Sequence, residues 1–254
     1  MNDPHVDAVV YTIDFADEVE FIEPEEPFVS RLGAFAMTVR DKEIKLVPDA
    51  HFASREEVRI VTDMLVEAWR IESSLRMGLT QLRIRHIRTI ISDRKPTAGV
   101  IHLQGEGVVV FTGKATATLT RRIATYPAAP TPGFSVDPDV DTLARRYAGY
   151  LRGQEPLLAM GYFVYTMLTP GKTTKKEAAA QLNVDWKVLD TLSNLTSTRG
   201  DRLSSRKALD SPAPLTPEEG NWLTTAIPEI IIRYGCRAEA AALPKITLGN
   251  LPAL

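Results

Sequence analysis

Four prolines, Pro127, Pro130, Pro132 and Pro138, fall within twelve residues and divide the chain into two lengths of opposite character. Proline lacks an amide donor and fixes φ, so such a run suits neither a helix interior nor a central strand. Before it, short runs rich in β-branched and aromatic residues read as strands. After it, apolar residues recur at helical spacing. The expected organisation is a strand-rich α+β domain over 1–126, a proline-rich linker over 127–138 and a helical domain over 139–254. The expected fold class is α+β, with a mostly antiparallel N-terminal sheet, one long covering helix and then an all-helical domain.

In the first half, residues 8–13, 19–22, 34–40 and 43–47 read as strands. Asp41-Lys42 serves as a hairpin turn, although it is not the favoured Asn-Gly or Asp-Gly. Ser54 and Glu57 have capping-box spacing, and Val58, Val61, Leu65, Ala68, Trp69 and Leu75 follow at helical intervals until Gly78 ends the run. Strands are predicted again at 82–91, 99–103 and 108–125, the last two joined by a turn at 104–107. In the second half, residues 139–151 place Val140, Leu143, Ala144, Tyr147 and Leu151 on one stripe. Residues 155–168 are apolar nearly all round, which predicts a buried central helix. Residues 174–182 and 185–195 predict a helical hairpin. Thr216-Pro217-Glu218-Glu219 opens a last helix that runs to about Tyr234, with Pro228 inside it as a kink.

Bulk properties exclude more than they assign. A net charge of −2 over 254 residues gives no global attraction to nucleic acid or anionic lipid. The single cysteine, Cys236, forbids an intrachain disulfide and any cysteine-cluster metal site. The longest apolar stretch, 157–168, is about half the roughly 20 residues a bilayer span needs. Acids come early and no signal-peptide plan is present, so the expected compartment is the cytoplasm. None of His5, His51, His86 and His102 stands at a metal-ligand spacing; His86 and His102 fall on predicted strands that as sheet neighbours would offer a two-histidine site, and they are read as ordinary strand histidines. No metal and no cofactor is expected.

Candidate sites are few. Residues 173–194 resemble a helix-turn-helix: Ala178, Ala179, Leu182, Val184, Leu189 and Leu192 occupy the packing positions, and Asn183 sits at the left-handed turn. The outward residues Asp185, Trp186, Lys187, Asp190, Thr191 and Asn194 include two carboxylates, which oppose phosphate binding. The flanks are basic, with eight basic against four acidic residues over 171–207. If nucleic acid binds, Lys172, Lys175, Lys176, Lys187, Arg199 and Arg202 are its candidate contacts. Gly171-Lys172-Thr173 and Gly113-Lys114 lack the glycine and the strand that a phosphate-binding loop requires. No nucleophile elbow occurs, and the serines of 193–205 read as a loop. Residues 3–26 hold nine acids and no lysine or arginine, whereas 76–95 hold six basic residues and one acid. Those segments are expected to be neighbours that neutralise one another. Arg83 and Arg85 are expected on one strand face and Arg88 on the other.

The helical half carries a resemblance. Glu155-Pro156-Leu157-Leu158-Ala159-Met160-Gly161-Tyr162-Phe163 is followed by Leu189, Leu192, Ser197, Arg199-Gly200-Asp201, Arg206-Lys207, Leu215-Thr216, Glu219, Trp222 and Arg233. Their order and spacing over about 150–237 resemble a broad group of uncharacterised bacterial proteins, some of them labelled methylamine-utilisation accessory (MauJ-like) proteins. The resemblance implies a bacterial source and no catalytic residue. It also implies that the loop 199–207 and Arg233 form a recurring structural or binding feature. Ser197 and Asp201 would then brace the loop, and Arg206, Lys207 and Arg233 would be anion-binding candidates.

The function expected is that of a non-catalytic accessory or protein-interaction protein of the bacterial cytosol, with a protein partner, self-association included, and no membrane. One alternative is a nucleic-acid-binding regulator using the hairpin at 173–194. Another is an enzyme of unrecognised class acting on an anionic substrate.

Overall fold

The computed structural model describes residues 2–15, 19–95, 121–200 and 213–254. The chain is α+β and forms two compact units, one of residues 1–73 and 81–130, the other of 74–80 and 131–254. The strands expected at 99–103 and most of 108–125, the turn at 104–107, His102 and Gly113-Lys114 lie outside the described residues. So do Asp201, Arg202, Arg206 and Lys207.

The first unit contains β1 (Pro4–Phe15), β2 (Val19–Phe21), β3 (Phe28–Leu32), β4 (Phe35–Arg40), β5 (Glu43–Pro48), most of α1 (Arg55–Met77), β6 (Leu82–Asp93) and β7 (Arg121–Ile123). Five strands form an antiparallel sheet in the order β3-β4-β5-β1-β6, and β2 pairs with β7 in parallel. Asp41 and Lys42 both have positive φ, 52° and 60°, as a tight two-residue hairpin turn demands. Two hydrogen bonds support these less favoured residues: Asp41 N donates to Glu23 Oε1 at 2.9 Å and Lys42 N to Tyr126 Oη at 2.8 Å. The acidic Glu25-Glu26 and Pro27 conceal β3 in the sequence. Its pairing with β4 and the burial of Leu32 decide the matter instead.

The acidic and basic segments do lie side by side, as β1 against β6. Arg85 meets Asp14 at 2.6 Å, Arg88 meets Glu43 at 3.1 Å and Lys95 meets Asp3 at 3.6 Å. One expectation fails. Arg83, Arg85 and Arg88 pair with Asp14, Thr12 and Val10, so all three share one face. The register shift between Val10 and Tyr11 inserts an extra residue in β6 and brings Arg88 round to its neighbours.

Helix α1 covers the sheet. Glu57 N donates to Ser54 Oγ at 3.2 Å, while Glu57 Oε2 receives Ala53 N at 3.0 Å, one residue before a capping box would have it. Gly78, at φ 59°, ends the helix. Val58, Thr62, Val66 and Trp69 are buried, and Trp69 Nε1 donates to Ala128 O at 2.8 Å. Val61 is not on this stripe. Thr62 has its place, because the buried Tyr11 hydroxyl lies 2.7 Å from Thr62 Oγ1.

The second unit is helical: α2 (Pro138–Leu151), α3 (Leu157–Leu168), α4 (Lys175–Gln181), α5 (Trp186–Thr198) and α6 (Pro217–Gly235). In α3, Leu158, Met160, Gly161, Val164 and Leu168 are buried. A Cβ on Gly161 would stand 2.9 Å from Thr196 Cγ2 and 3.0 Å from Ile227 Cδ1, so the missing side chain lets α3 approach α5 and α6 closely. Thr216 and Glu219 cap α6 reciprocally, with Pro217 at its first turn and Pro228 within it.

Candidate functional site

The hairpin of α4 and α5 is built as its sequence spacing expects. Thr174 and Glu177 form a capping box, with Glu177 N donating to Thr174 Oγ1 at 3.2 Å and Thr174 N to Glu177 Oε2 at 2.7 Å. The Thr174 amide, then its hydroxyl, hold the Glu177 carboxyl below its usual range. Asn183 has φ 50°, the left-handed turn residue. Ala178, Ala179, Leu182, Val184, Leu189 and Leu192 are all buried. Asp185 caps α5 through Lys187 N at 3.0 Å.

Part of the outward chemistry is engaged by other side chains of the chain. Lys175 Nζ pairs with Asp190 Oδ1 at 2.7 Å, so a candidate cation and an opposing carboxylate neutralise one another. Lys176 Nζ lies 5.7 Å from the centre of the Trp186 ring, at cation–π range. Arg199 Nε donates to Glu219 Oε1 at 2.8 Å, tying the end of α5 to the cap of α6. Lys172 and Lys187 are exposed. Ser197 Oγ donates back to Ser193 O at 2.6 Å, inside its own helix. The pairs Lys175–Asp190 and Arg199–Glu219 join residues fifteen and twenty positions apart. Local spacing reveals neither.

The C-terminal segment is fastened to the hairpin turn. Asn183 Nδ2 donates to Leu243 O at 2.7 Å, Ile246 N to Asn183 O at 3.2 Å and Asp185 N to Ile246 O at 2.7 Å. Arg233 belongs to the same fastening. It is only 8% exposed, and its Nη2 donates to Pro244 O at 2.8 Å. Its Nη1 is buried and, among the described residues, without a hydrogen-bond partner. Burial lowers this guanidinium's affinity for its proton, an effect Arg76 adds to and Cys236 and Glu229 oppose.

In the first unit, Tyr11 Oη also lies 2.8 Å from Asp63 Oδ1, and Arg59 forks onto that carboxylate at 2.8–3.0 Å. Burial raises the Tyr11 phenol well above its ordinary value, so it holds its proton as a donor. The His86 ring meets the Tyr11 ring edge-on at 5.5 Å, and its Nε2 lies 3.0 Å from Thr89 Oγ1. Burial, then the Arg59 and Arg55 charges, lower its proton affinity. This network braces α1 on the sheet. Among the described residues, no three metal-ligating side chains converge.

The opposite side of α1 carries what the sequence reading missed. Ile60 and Met64 are 68% and 71% exposed, one turn apart, and Val61 beside them is 38% exposed. Apolar periodicity alone does not separate this strip from the buried one, because a polar Thr62 occupies an inner seat and an apolar Val61 an outer one.

No protein-family model, no curated protein and no solved structure matches the chain.

Proposed function

We propose that this protein is an accessory protein that works by binding another protein chain, with the outer face of α1 as its contact. The observation that carries this reading is the strip Ile60, Val61 and Met64, apolar and exposed on a helix whose other side is fully packed. Contiguous apolar patches larger than about a few hundred Å² are rare on monomeric proteins and mark interaction sites, and this strip is read as the centre of such a patch. Its setting is charged, with the Arg59–Asp63 pair and Glu56 and Glu57 on the same stretch of helix, which suits a polar rim around an apolar centre. A second copy of this chain is the first occupant to test. The bacterial cytoplasm is the proposed compartment, favoured by the single cysteine and the resemblance of the helical half. Among the described residues no helix is long and apolar enough to cross a membrane.

Sedimentation equilibrium tests the reading. The expected result is a concentration-dependent dimer that Ile60→Ser with Met64→Ser converts to a monomer of unchanged melting temperature. A wild-type monomer at all concentrations removes self-association and leaves only a heterologous partner.

A second reading, binding of duplex DNA, is favoured by the left-handed Asn183 between the two capped helices. Trp186 is 41% exposed while Trp69 and Trp222 are buried, so its fluorescence reports on this face alone. DNA binding there predicts quenching that weakens steeply with salt and is lost in Lys176→Glu with Lys187→Glu. Emission unmoved by duplex removes this reading.

A further inference from the structure

His5 lies near the start of β1, only 9% exposed, between two nitrogen partners. Arg94 Nη2 is 2.7 Å from His5 Nε2, and His5 Nδ1 is 2.9 Å from His51 Nδ1. The two rings are nearly parallel, 15° apart with centres separated by 5.1 Å. Arginine can only donate, so His5 Nε2 must present its lone pair. The proton of a neutral His5 is then on Nδ1 and donates to His51. His51 Nδ1 must accept it, which leaves the His51 proton on Nε2. The proton positions are thereby fixed around both rings.

This assignment has two consequences. Neither Nδ1 is open to a metal, because one carries a proton and the other receives it, which agrees with the lack of a third ligand among the described residues. Further, an added proton has no place that preserves the chain. On His51 Nδ1 it would face the His5 N–H. On His5 Nε2 it would face Arg94 and set two cations within hydrogen-bond distance.

We propose that Arg94, His5 and His51 form a proton-operated latch, closed while both imidazoles are neutral, that holds the loop 49–53 against the start of β1. The loop's other fastenings involve no histidine. Asp49 N donates to Ala34 O at 3.0 Å, Asp49 pairs with Arg31, Val6 N donates to Phe52 O at 2.9 Å, and the Phe52 ring stacks on Phe35. Other charged groups around the latch are Asp3 just before β1, Asp93 at the end of β6 and Lys95 just after it. Lys95 lies 3.6 Å from Asp3, and Asp93 accepts the amides of Asn2, Asp3 and Lys95. Among the described residues, the hydrogen bonds of His5 and His51 run to each other and to Arg94, not to Asp3 or Asp93. The loop leads directly into α1, so protonation loosens the entry to that helix.

The test is nuclear magnetic resonance on the whole chain. Imidazole nitrogen spectra at pH 8 are expected to place the His5 proton on Nδ1 and the His51 proton on Nε2. Hydrogen exchange at the Val6 amide, corrected for the intrinsic pH dependence of exchange, is expected to lose about tenfold protection between pH 8 and pH 5, while amides in the middle of β1 keep theirs. In His51→Gln, whose side-chain oxygen still accepts but does not titrate, only His5 can take the added proton, so the loss of Val6 protection is expected to be smaller than in the wild type. A His5 proton on Nε2 at pH 8, wild-type protection at Val6 indifferent to pH, or an undiminished loss in His51→Gln each overturns the latch. If His51→Gln does not fold, the tautomer assignment and the wild-type exchange still decide.

Discussion

Two residues show how single positions hold the helical unit together. Asn183 takes a left-handed φ that costs an ordinary L-residue about 1–2 kcal/mol, and its side chain also donates to Leu243 O. Asn183→Ala should therefore lose both effects, about 2 kcal/mol in total. Asn183→Gly should lose only the hydrogen bond and remain the more stable of the two in denaturant titrations. The reverse ranking would mean that the turn is not strained. Gly235 sits against an aromatic ring, and a Cβ there would stand 2.4 Å from Phe134 Cε2. Gly235→Ala should destabilise the chain by about 1–3 kcal/mol through overpacking, read as a lower denaturation midpoint. The left-handed turn at Asn183 was legible in the sequence because asparagine advertises it. The contact at Gly235 was not, since its partner lies a hundred positions away.

Elements were legible where local signals agree. The capping boxes at Thr174 and Thr216, the stop at Gly78 and the all-apolar α3 are written in neighbouring residues. Strand β3 was hidden by its acidic, proline-containing approach, and the bulge in β6 by the assumption of strict alternation. Helix α2 adds a pH dependence. Its N-cap Asp137 accepts Val140 N at 2.8 Å and pairs with Arg237. Burial pushes the Asp137 carboxyl up, but the Arg237 pair and the Val140 amide outweigh it and hold the group below its ordinary value. A lowered carboxyl contributes stability that is present above the ordinary aspartate value, about 3.9, and is lost as pH falls through the lowered one. Asp137→Asn keeps the cap and removes the charge. It should be less stable than wild type at pH 7, by no more than about 1 kcal/mol for so exposed a pair, and the gap should be smaller at pH 2. Denaturant midpoints at the two pH values measure this, and a gap undiminished in acid contradicts it.

At the scale of the whole molecule, the α+β class follows from a change of period along the sequence, from strand-like runs to helical spacing. The candidate surface does not. A strip such as Ile60, Val61 and Met64 looks like core until the sheet and Thr62 show which side of α1 faces inward. Two of the six basic residues that suggested a nucleic-acid surface are paired with carboxylates of their own chain, Lys175 with Asp190 and Arg199 with Glu219. That balance shifts weight from the hairpin to α1. The most direct measurement is site-specific photocrosslinking from position 64 in living cells of the native host, with position 45 on the exposed sheet face as a control. A protein partner on α1 predicts one discrete adduct from position 64, none from position 45, and its disappearance when Ile60 is changed to Ser. No adduct from position 64, or equal labelling from both positions, would contradict it.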